Sequence, residues 1–478
     1  MSLTVGLSLV RRRSFLRGGF GALGALAGVS LLAACGGTAP AAAVPAQAVA
    51  ATTLSTSVQT ASIPSSSASL ASSTAAAAAG KVVGITVLHR GDQNEHDELN
   101  QAVALFNKDF AGTYQATGDF ATGDYNAKLL TLKAANTLPD VFYMNAEVLS
   151  SFAVKDFFYD LGPISARDDA TKQYWPQLLE LSKYEGKLHG LPKDYSPYVV
   201  YVNLDRFKDA GVPLPKPDWT WNDFVQTATA LTQRSSGGAQ SDHYGAHLLD
   251  AGWIDWVWQN GGDIFDSTYS KVLFGETAAV DALQYVADLM NKSRVALGPD
   301  ALTSSHQTAA QWFQSGGVAM YFMGRWAVPN LRKLTGVNWD SVPLPQGKKA
   351  ANIFLQSGPT VAATTKEAQA SWEFCKTWTG PVGQPINIDT GIAIPSVNSA
   401  AIHQDFLAKT PPSTQGNQTF YDAIPIGHPL PSHGGMDWGV ISQAIGSSLS
   451  DVWTGKISAN DAVTKIVPNL QYQLTKYA

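Results

Sequence analysis

The sequence predicts an α/β protein whose sheet is largely parallel, with helices on its faces, and three observations carry that expectation. Short apolar runs rich in β-branched residues alternate with segments whose apolar residues recur at helical spacing. The alternation begins at residue 81, after eighty residues of a composition that no core could use. Finally, 478 residues with 45% apolar and 10% aromatic content suffice for two or three domains.

The elements follow in order. Val82 to Leu88 is a buried strand, and Leu99, Val103, Phe106 and Phe110 behind it form the inner stripe of an amphipathic helix. Tyr114 to Phe120 is the next strand, Asn126 to Ala135 the next helix and Asp140 to Met144 a third strand. Further on, Val199 to Val202 reads as a strand, and Leu204 to Ala210 as a short helix closed by Gly211. Thr220 caps a helix with Asp223 in its first turn. Thr364 to Glu367 has the spacing of a capping box for a helix whose apolar side is Ala370, Phe374 and Trp378, with Cys375 as a buried, inert thiol.

The first eighty residues form an address and a tether. Arg11-Arg12-Arg13-Ser14-Phe15-Leu16-Arg17 precedes the uncharged stretch Gly18 to Ala34, the order of a secretory signal, and the paired arginines resemble the twin-arginine export motif. Leu32-Ala33-Ala34-Cys35 is similar to a bacterial lipobox, which makes Cys35 the lipidation site and the start of the mature chain. The signal stretch is too short for a transmembrane helix, which takes roughly 20 residues. Gly19 to Gly24 matches G-x-G-x-x-G in letters alone, since no strand precedes it and no acid follows at the ribose-binding distance. Gly36 to Gly80 contains no charged or aromatic residue, and as a flexible Ala/Ser/Thr coil it spans about 35–40 Å. The domain therefore sits at the outer face of the cell membrane, held by a lipid.

Charge and motifs exclude several functions. Residues 81–478 carry 29 Lys and Arg against 38 Asp and Glu, a net of −9, the wrong balance for neutralising nucleic-acid phosphates. The two cysteines, one of them Cys35, leave no disulfide. The nine histidines form no H-E-x-x-H pair or zinc cluster, and neither a G-x-S-x-G elbow nor a phosphate loop occurs. No metal or cofactor is expected. Asp119 with Asp124, or Asp168 with Asp169, could pair for glycoside cleavage, but solvated surface acids are the expected reading. The thirteen tryptophans point elsewhere. Those in Trp253 to Trp258, Gly324-Arg325-Trp326 and Asp437-Trp438-Gly439 stand among polar or loop-forming residues, and a flat indole suits the C–H face of a pyranose while neighbouring polar groups bind its hydroxyls. Two or three of the thirteen should line a cleft.

Ordered segments over nearly the whole of 81–478 carry a family resemblance: Ile85 to Leu88, Lys128-Leu129-Leu130 before Leu138 to Phe142, Gly186 to Pro192, Tyr201 to Phe207, Trp219-Thr220-Trp221, Gly317 to Met320 with Gly324-Arg325-Trp326, and Val342 to Gly347. The chain resembles the extracellular solute-binding proteins of sugar ABC importers, the group that includes maltose-binding protein. The resemblance implies an α/β, two-lobed, periplasmic-binding-protein-like fold with a hinge and an inter-lobe cleft. Lobe 1 would take residues 81–193 and 348–393, lobe 2 residues 194–347 and 394–478, with crossings near Asp194 to Ser196, Leu344 to Gly347 and Ile394 to Ser399. It further implies a non-enzymatic receptor that passes a sugar or oligosaccharide to ABC permease subunits. Matching positions give ligand contacts at Arg90, Asp92, Gln93, Asn145, Glu147, Asp194, Tyr195, Trp253, Arg325, Trp326 and Trp438. Two rivals are a tethered extracellular glycoside hydrolase and a same-fold binder of a non-sugar solute such as a polyamine, glycerol phosphate or metal chelate. Replacing Cys35 by Ser is expected to release the protein from membranes on cell fractionation; retention in the membrane pellet would refute lipidation at that residue.

Overall fold

The computed structural model describes residues 81–234, 241–250 and 252–477, so the expected signal segment, Cys35 and the 36–80 linker lie outside the described residues. Alternating burial along Val83–His89 sets one face of the strand on the core. It pairs in parallel with Tyr114–Phe120 and with Val141–Asn145. Helix Gln93–Asp109 buries Leu99, Ala102 and Phe106, and Gly118 of the neighbouring strand admits the Leu99 side chain, to which an added Cβ would approach within 3.1 Å. Three further strands make the sheet mixed rather than largely parallel. Leu355–Val361 joins antiparallel to Val141–Asn145, followed by Asp194–Ser196 and Ile394–Pro395 at the edge.

The second sheet, five-stranded among the described residues, runs in the order Trp339–Val342, Tyr198–Asn203, Val318–Gly324, Ser241–His247 and Gln233–Arg234. Each sheet has its own apolar core. A third cluster joins Tyr195 and Ile394 of the first sheet to Val199 and Tyr201 of the second. The molecule is thus α/β and two-lobed, with an apolar hinge beneath the cleft.

Two local expectations are corrected. Thr364 to Glu367 forms no capping box, because the Thr365 hydroxyl donates to Asp140 Oδ1 at 2.7 Å and helix Ala368–Thr379 begins without a side-chain cap. Its inner face does bury Ala370, Phe374, Cys375 and Trp378, and burial pushes the Cys375 thiol far above its ordinary range. Residues 348–353, expected in lobe 1, are bonded to lobe 2. Lys349 N–H donates to Gln259 O at 3.1 Å, and Ile353 N–H to Asp255 Oδ1 at 2.6 Å. The chain joins the first sheet only at Leu355, since the carboxylate of Asp255 satisfies a backbone donor that a free crossing would leave to water.

At the inner edge of the first sheet lies a buried ion cluster. Lys193, 1% exposed, donates to both oxygens of the fully buried Glu98 at 3.0 and 2.9 Å and reaches Asp194 Oδ2 at 2.7 Å. Burial alone would pull the ammonium down, but Asp194 and Glu98 overcome it and hold Lys193 well above its usual range. Backbone bonds fix the segment: Lys193 N–H donates to Ser357 O and Leu191 N–H to Pro359 O. Between these contacts sits Gly358, where a Cβ would meet Leu191 O at 2.1 Å.

Two outcomes are expected in urea unfolding. Glu98→Ala leaves Lys193 short of one buried partner and should lower stability by about 3 kcal/mol; an unchanged midpoint would show that the cluster is not a structural tie. Gly358→Ala should cost about 1–3 kcal/mol through forced backbone displacement, and full stability in this variant would mean that the two segments can separate freely.

Candidate functional site

The site is built on strand ends. The strand Asp194–Ser196 alternates, so Asp194 and Ser196 face an inter-lobe cavity of about 680 Å³, while Tyr195 turns the other way into the hinge core, 0% exposed. Tyr195 therefore leaves the expected ligand set: its ring lies 5.4 Å from Phe354 and 6.4 Å from Tyr421. Asp194 is held on both oxygens, by Lys193 and by the Ser357 hydroxyl, which donates to Oδ1 at 2.9 Å. The Tyr143 hydroxyl donates in turn to Ser357. Tyr143, Lys193 and Ser357, none of them anticipated, all line the cavity. Lys193 was legible only as the residue before a suspected hinge acid, and Tyr143 and Ser357 lie on strands whose pairing the sequence does not state.

A second relay crosses the cleft floor of lobe 1. Arg90 follows the first strand, and its Nη2 donates to Asn145 Oδ1 at 2.7 Å, while Asn145 Nδ2 donates to Glu147 Oε1 at 2.7 Å. The guanidinium lies 5.9 and 5.8 Å from the ring centres of Tyr125 and Tyr143. Burial raises the Glu147 carboxyl above its ordinary value, against the bond from Asn145. These three residues also border a neighbouring chamber of about 790 Å³ that contains Trp438, Tyr125 and Asp124. Behind the relay, burial and then the charge of Lys193 push His89 well below its usual pKa, so the imidazole, tilted against Tyr143 at 4.2 Å, is neutral.

Asp92 lines the cavity and also caps a helix. Its carboxylate accepts from Asn94 and Glu95 N–H, and Glu95 returns the bond to the Asp92 N–H at 3.0 Å. Gly91, at φ +115°, lets the Glu95 carboxylate fold over the backbone, where a Cβ would sit 1.6 Å from its oxygen. Gln93 points away, bonded to Asp97 at 2.8 Å, and borders neither chamber. Its place in the first turn of the helix aims it outward.

From lobe 2, Trp326 enters the cavity together with Gln311, Tyr321 and Met323. Its indole folds back over Gly324, where a Cβ would collide with the ring at 2.1 Å, and meets Tyr198 edge-on at 5.8 Å. Arg325, its neighbour, is corrected: it is 0% exposed and points into the hinge, bonded to Gly391 O and to Asn417 Oδ1. Trp253 is corrected as well, since it packs 5.2 Å from Phe274 in the lobe 2 core and borders neither chamber. Trp438 is 9% exposed at the start of helix Trp438–Trp453 and borders the second chamber.

The acids considered for glycoside cleavage do not meet in the cavity. Asp168 holds Trp372 and Lys376, and Asp124 caps a helix. Among the described residues no group of three or more His, Cys, Asp or Glu is placed to hold a metal, and no helix is long and apolar enough to cross a membrane.

Comparison with known proteins fits this geometry. Residues 101–412 match the family model described as bacterial extracellular solute-binding protein. The fold is similar to that of an ABC substrate-binding protein from Listeria monocytogenes solved with cycloalternan, at TM-score 0.75 and 24% identity, covering 83% of this chain and all of that one. It is also similar to the GacH receptor of Streptomyces glaucescens, solved unliganded and with acarbose, at TM-score 0.70 and 20% identity over 83% of this chain and all of that one. At these identities the likeness establishes the fold. In sequence, 251 residues are 23% identical to the arabinooligosaccharide-binding protein of Bacillus subtilis, covering 50% of this chain and 55% of that protein, so the chain spans about half the length of this curated relative. With its family model matched over most of the folded region, this chain belongs to the bacterial extracellular solute-binding proteins.

Proposed function

We propose that this chain captures a sugar or oligosaccharide between its lobes and delivers it, chemically unaltered, to the membrane subunits of an ABC importer, while tethered through a lipid on Cys35. The observation that carries the reading is the pairing within one cavity of an indole wall, Trp326, with a floor of fixed hydrogen-bonding groups: Arg90, Asn145, Glu147, Asp194 and Ser357. An apolar plate opposite polar groups of set direction suits a pyranose, which has C–H faces and an equatorial rim of hydroxyls. The ligands named for the similar proteins, cycloalternan, acarbose and arabinooligosaccharide, support a saccharide. Ligand contacts are proposed at Arg90, Asp92, Asn145, Glu147, Asp194 and Trp326, and at Trp438 for a ligand that extends into the neighbouring chamber.

A receptor rather than a hydrolase is favoured by the state of the carboxylates. Asp194 is ion-paired, Asp92 caps a helix, Glu95 accepts the Asp92 N–H and Glu147 accepts from Asn145. Each is committed to holding the site, whereas glycoside cleavage needs one carboxyl to give a proton and another to attack or activate water. Delivery then works by population shift: a ligand bonded to both lobes favours the closed arrangement by its differential affinity, and the permease reads that arrangement.

Titration of the purified protein with a panel of oligosaccharides, followed by tryptophan fluorescence and by product analysis, tests this reading. Saturable binding without product is expected, and Trp326→Ala should weaken it tenfold or more, about 1.4 kcal/mol, with thermal unfolding moved by no more than a few degrees. Turnover of a glycoside, or wild-type affinity in the variant, would overturn it.

A further inference from the structure

Arg325 poses a problem that sugar binding does not solve. Its guanidinium is fully buried and lies 4.5 and 4.7 Å from the centres of Phe406 and Phe420. Nε donates to Gly391 O at 3.1 Å and Nη1 to Asn417 Oδ1 at 2.6 Å, both neutral acceptors. Nη2 has no protein partner, and among the described residues Arg325 forms no ion pair. Burying a cation without a counter-charge is strongly unfavourable, and the two aromatic faces offset only part of that.

The same shell holds further unused donors. The hydroxyls of Tyr195 and Tyr421 are buried without partners, and their rings meet at right angles 6.4 Å apart. Tyr421 also packs 5.2 Å from Phe406, one of the two rings next to the guanidinium. Arg332 adds a second cation nearby, bonded to the carbonyls of Pro411 and Lys409. The nearby acids do not pair with Arg325: Asp389 is paired with Lys409, and the exposed Asp422 accepts from Gln418 Nε2 at 2.9 Å.

From these contacts we infer a buried hinge site for a small monovalent anion of the halide class, bound by Arg325 Nη2 and the hydroxyls of Tyr195 and Tyr421. One uncompensated positive charge and three N–H or O–H donors match an ion that only accepts hydrogen bonds. A monatomic ion needs less room in this packed core than an oxyanion would. The site stands apart from the sugar cavity, but its residues belong to the hinge. Tyr195 lies between the cavity-facing Asp194 and Ser196, the Arg325 N–H donates to Ser196 Oγ at 2.8 Å, and Trp326 follows Arg325. An anion here neutralises the core on which the lobes pivot.

The test uses the full chain dialysed into gluconate, melted in chloride, bromide or gluconate at constant ionic strength so that screening is matched. The transition temperature is expected to rise saturably with either halide, following mass action. Tyr421→Phe should raise the half-saturating concentration about tenfold through loss of one donor. Crystals grown in bromide should show an anomalous peak within hydrogen-bonding reach of Arg325 Nη2. Identical melting in all three salts, a halide effect unchanged by Tyr421→Phe, or a water with no bromide signal at that position would each overturn the site. None of these readouts involves sugar, so failure here leaves the transport reading untouched.

Discussion

The cleft depends on one buried cation. Lys193 ties Glu98, on the helix behind the first sheet, to Asp194, on the strand from which the chain leaves that sheet. An ammonium in an apolar interior is tolerated only when its donors are filled, and here three carboxylate oxygens fill them. The arrangement fixes the position of Asp194 at the cavity floor, and the chain from Tyr143 through Ser357 to Asp194 carries that order across two neighbouring strands. Removing the charge pairing would not merely loosen a surface contact; it would release the segment that joins the lobes.

Close backbone approach serves the same end. Gly358 and Gly190 let the strand Leu355–Val361 and the segment before Lys193 lie against each other at distances that a side chain would forbid. In lobe 2, Gly324 does the corresponding work for an indole, giving Trp326 room to fold over its own strand and face the cavity. Both walls of the cleft thus depend on close approaches that a Cβ would forbid, and in lobe 1 backbone hydrogen bonds lock the approach in place.

Polar groups in the cavity hold the structure and, on the proposed reading, also meet a ligand. Asp92 caps a helix while bordering the cavity, and Arg90 reaches Glu147 through Asn145. Such groups are already oriented when a ligand arrives, so less ordering entropy is lost on binding. In the hinge below, the third apolar cluster contains the unpartnered hydroxyls of Tyr195 and Tyr421, and the buried Arg325 reaches Phe406 and Phe420 of the same cluster.

The sequence by itself determined the three parallel strands of the first lobe and the second helix to within a residue, because apolar periodicity is local. Thr220 is the anticipated N-cap and closes a capping box with Asp223, and the 3.6-residue stripe of Leu99 and Phe106 is buried where expected. Arg90, Asp92, Asn145, Glu147, Asp194 and Trp326 were expected through the family resemblance, and these six do border one cavity. Only the tertiary structure decided between neighbours. Tyr195 and Arg325 sit beside true cavity residues, yet the alternation of a strand and the turn after Gly324 send them into the hinge, while Trp253 is spent on the lobe 2 core. The side chain's direction and the burial of Lys193 with Glu98, 95 positions away, depend on which strands pair, and pairing between distant segments is set by packing rather than by any signal along the chain.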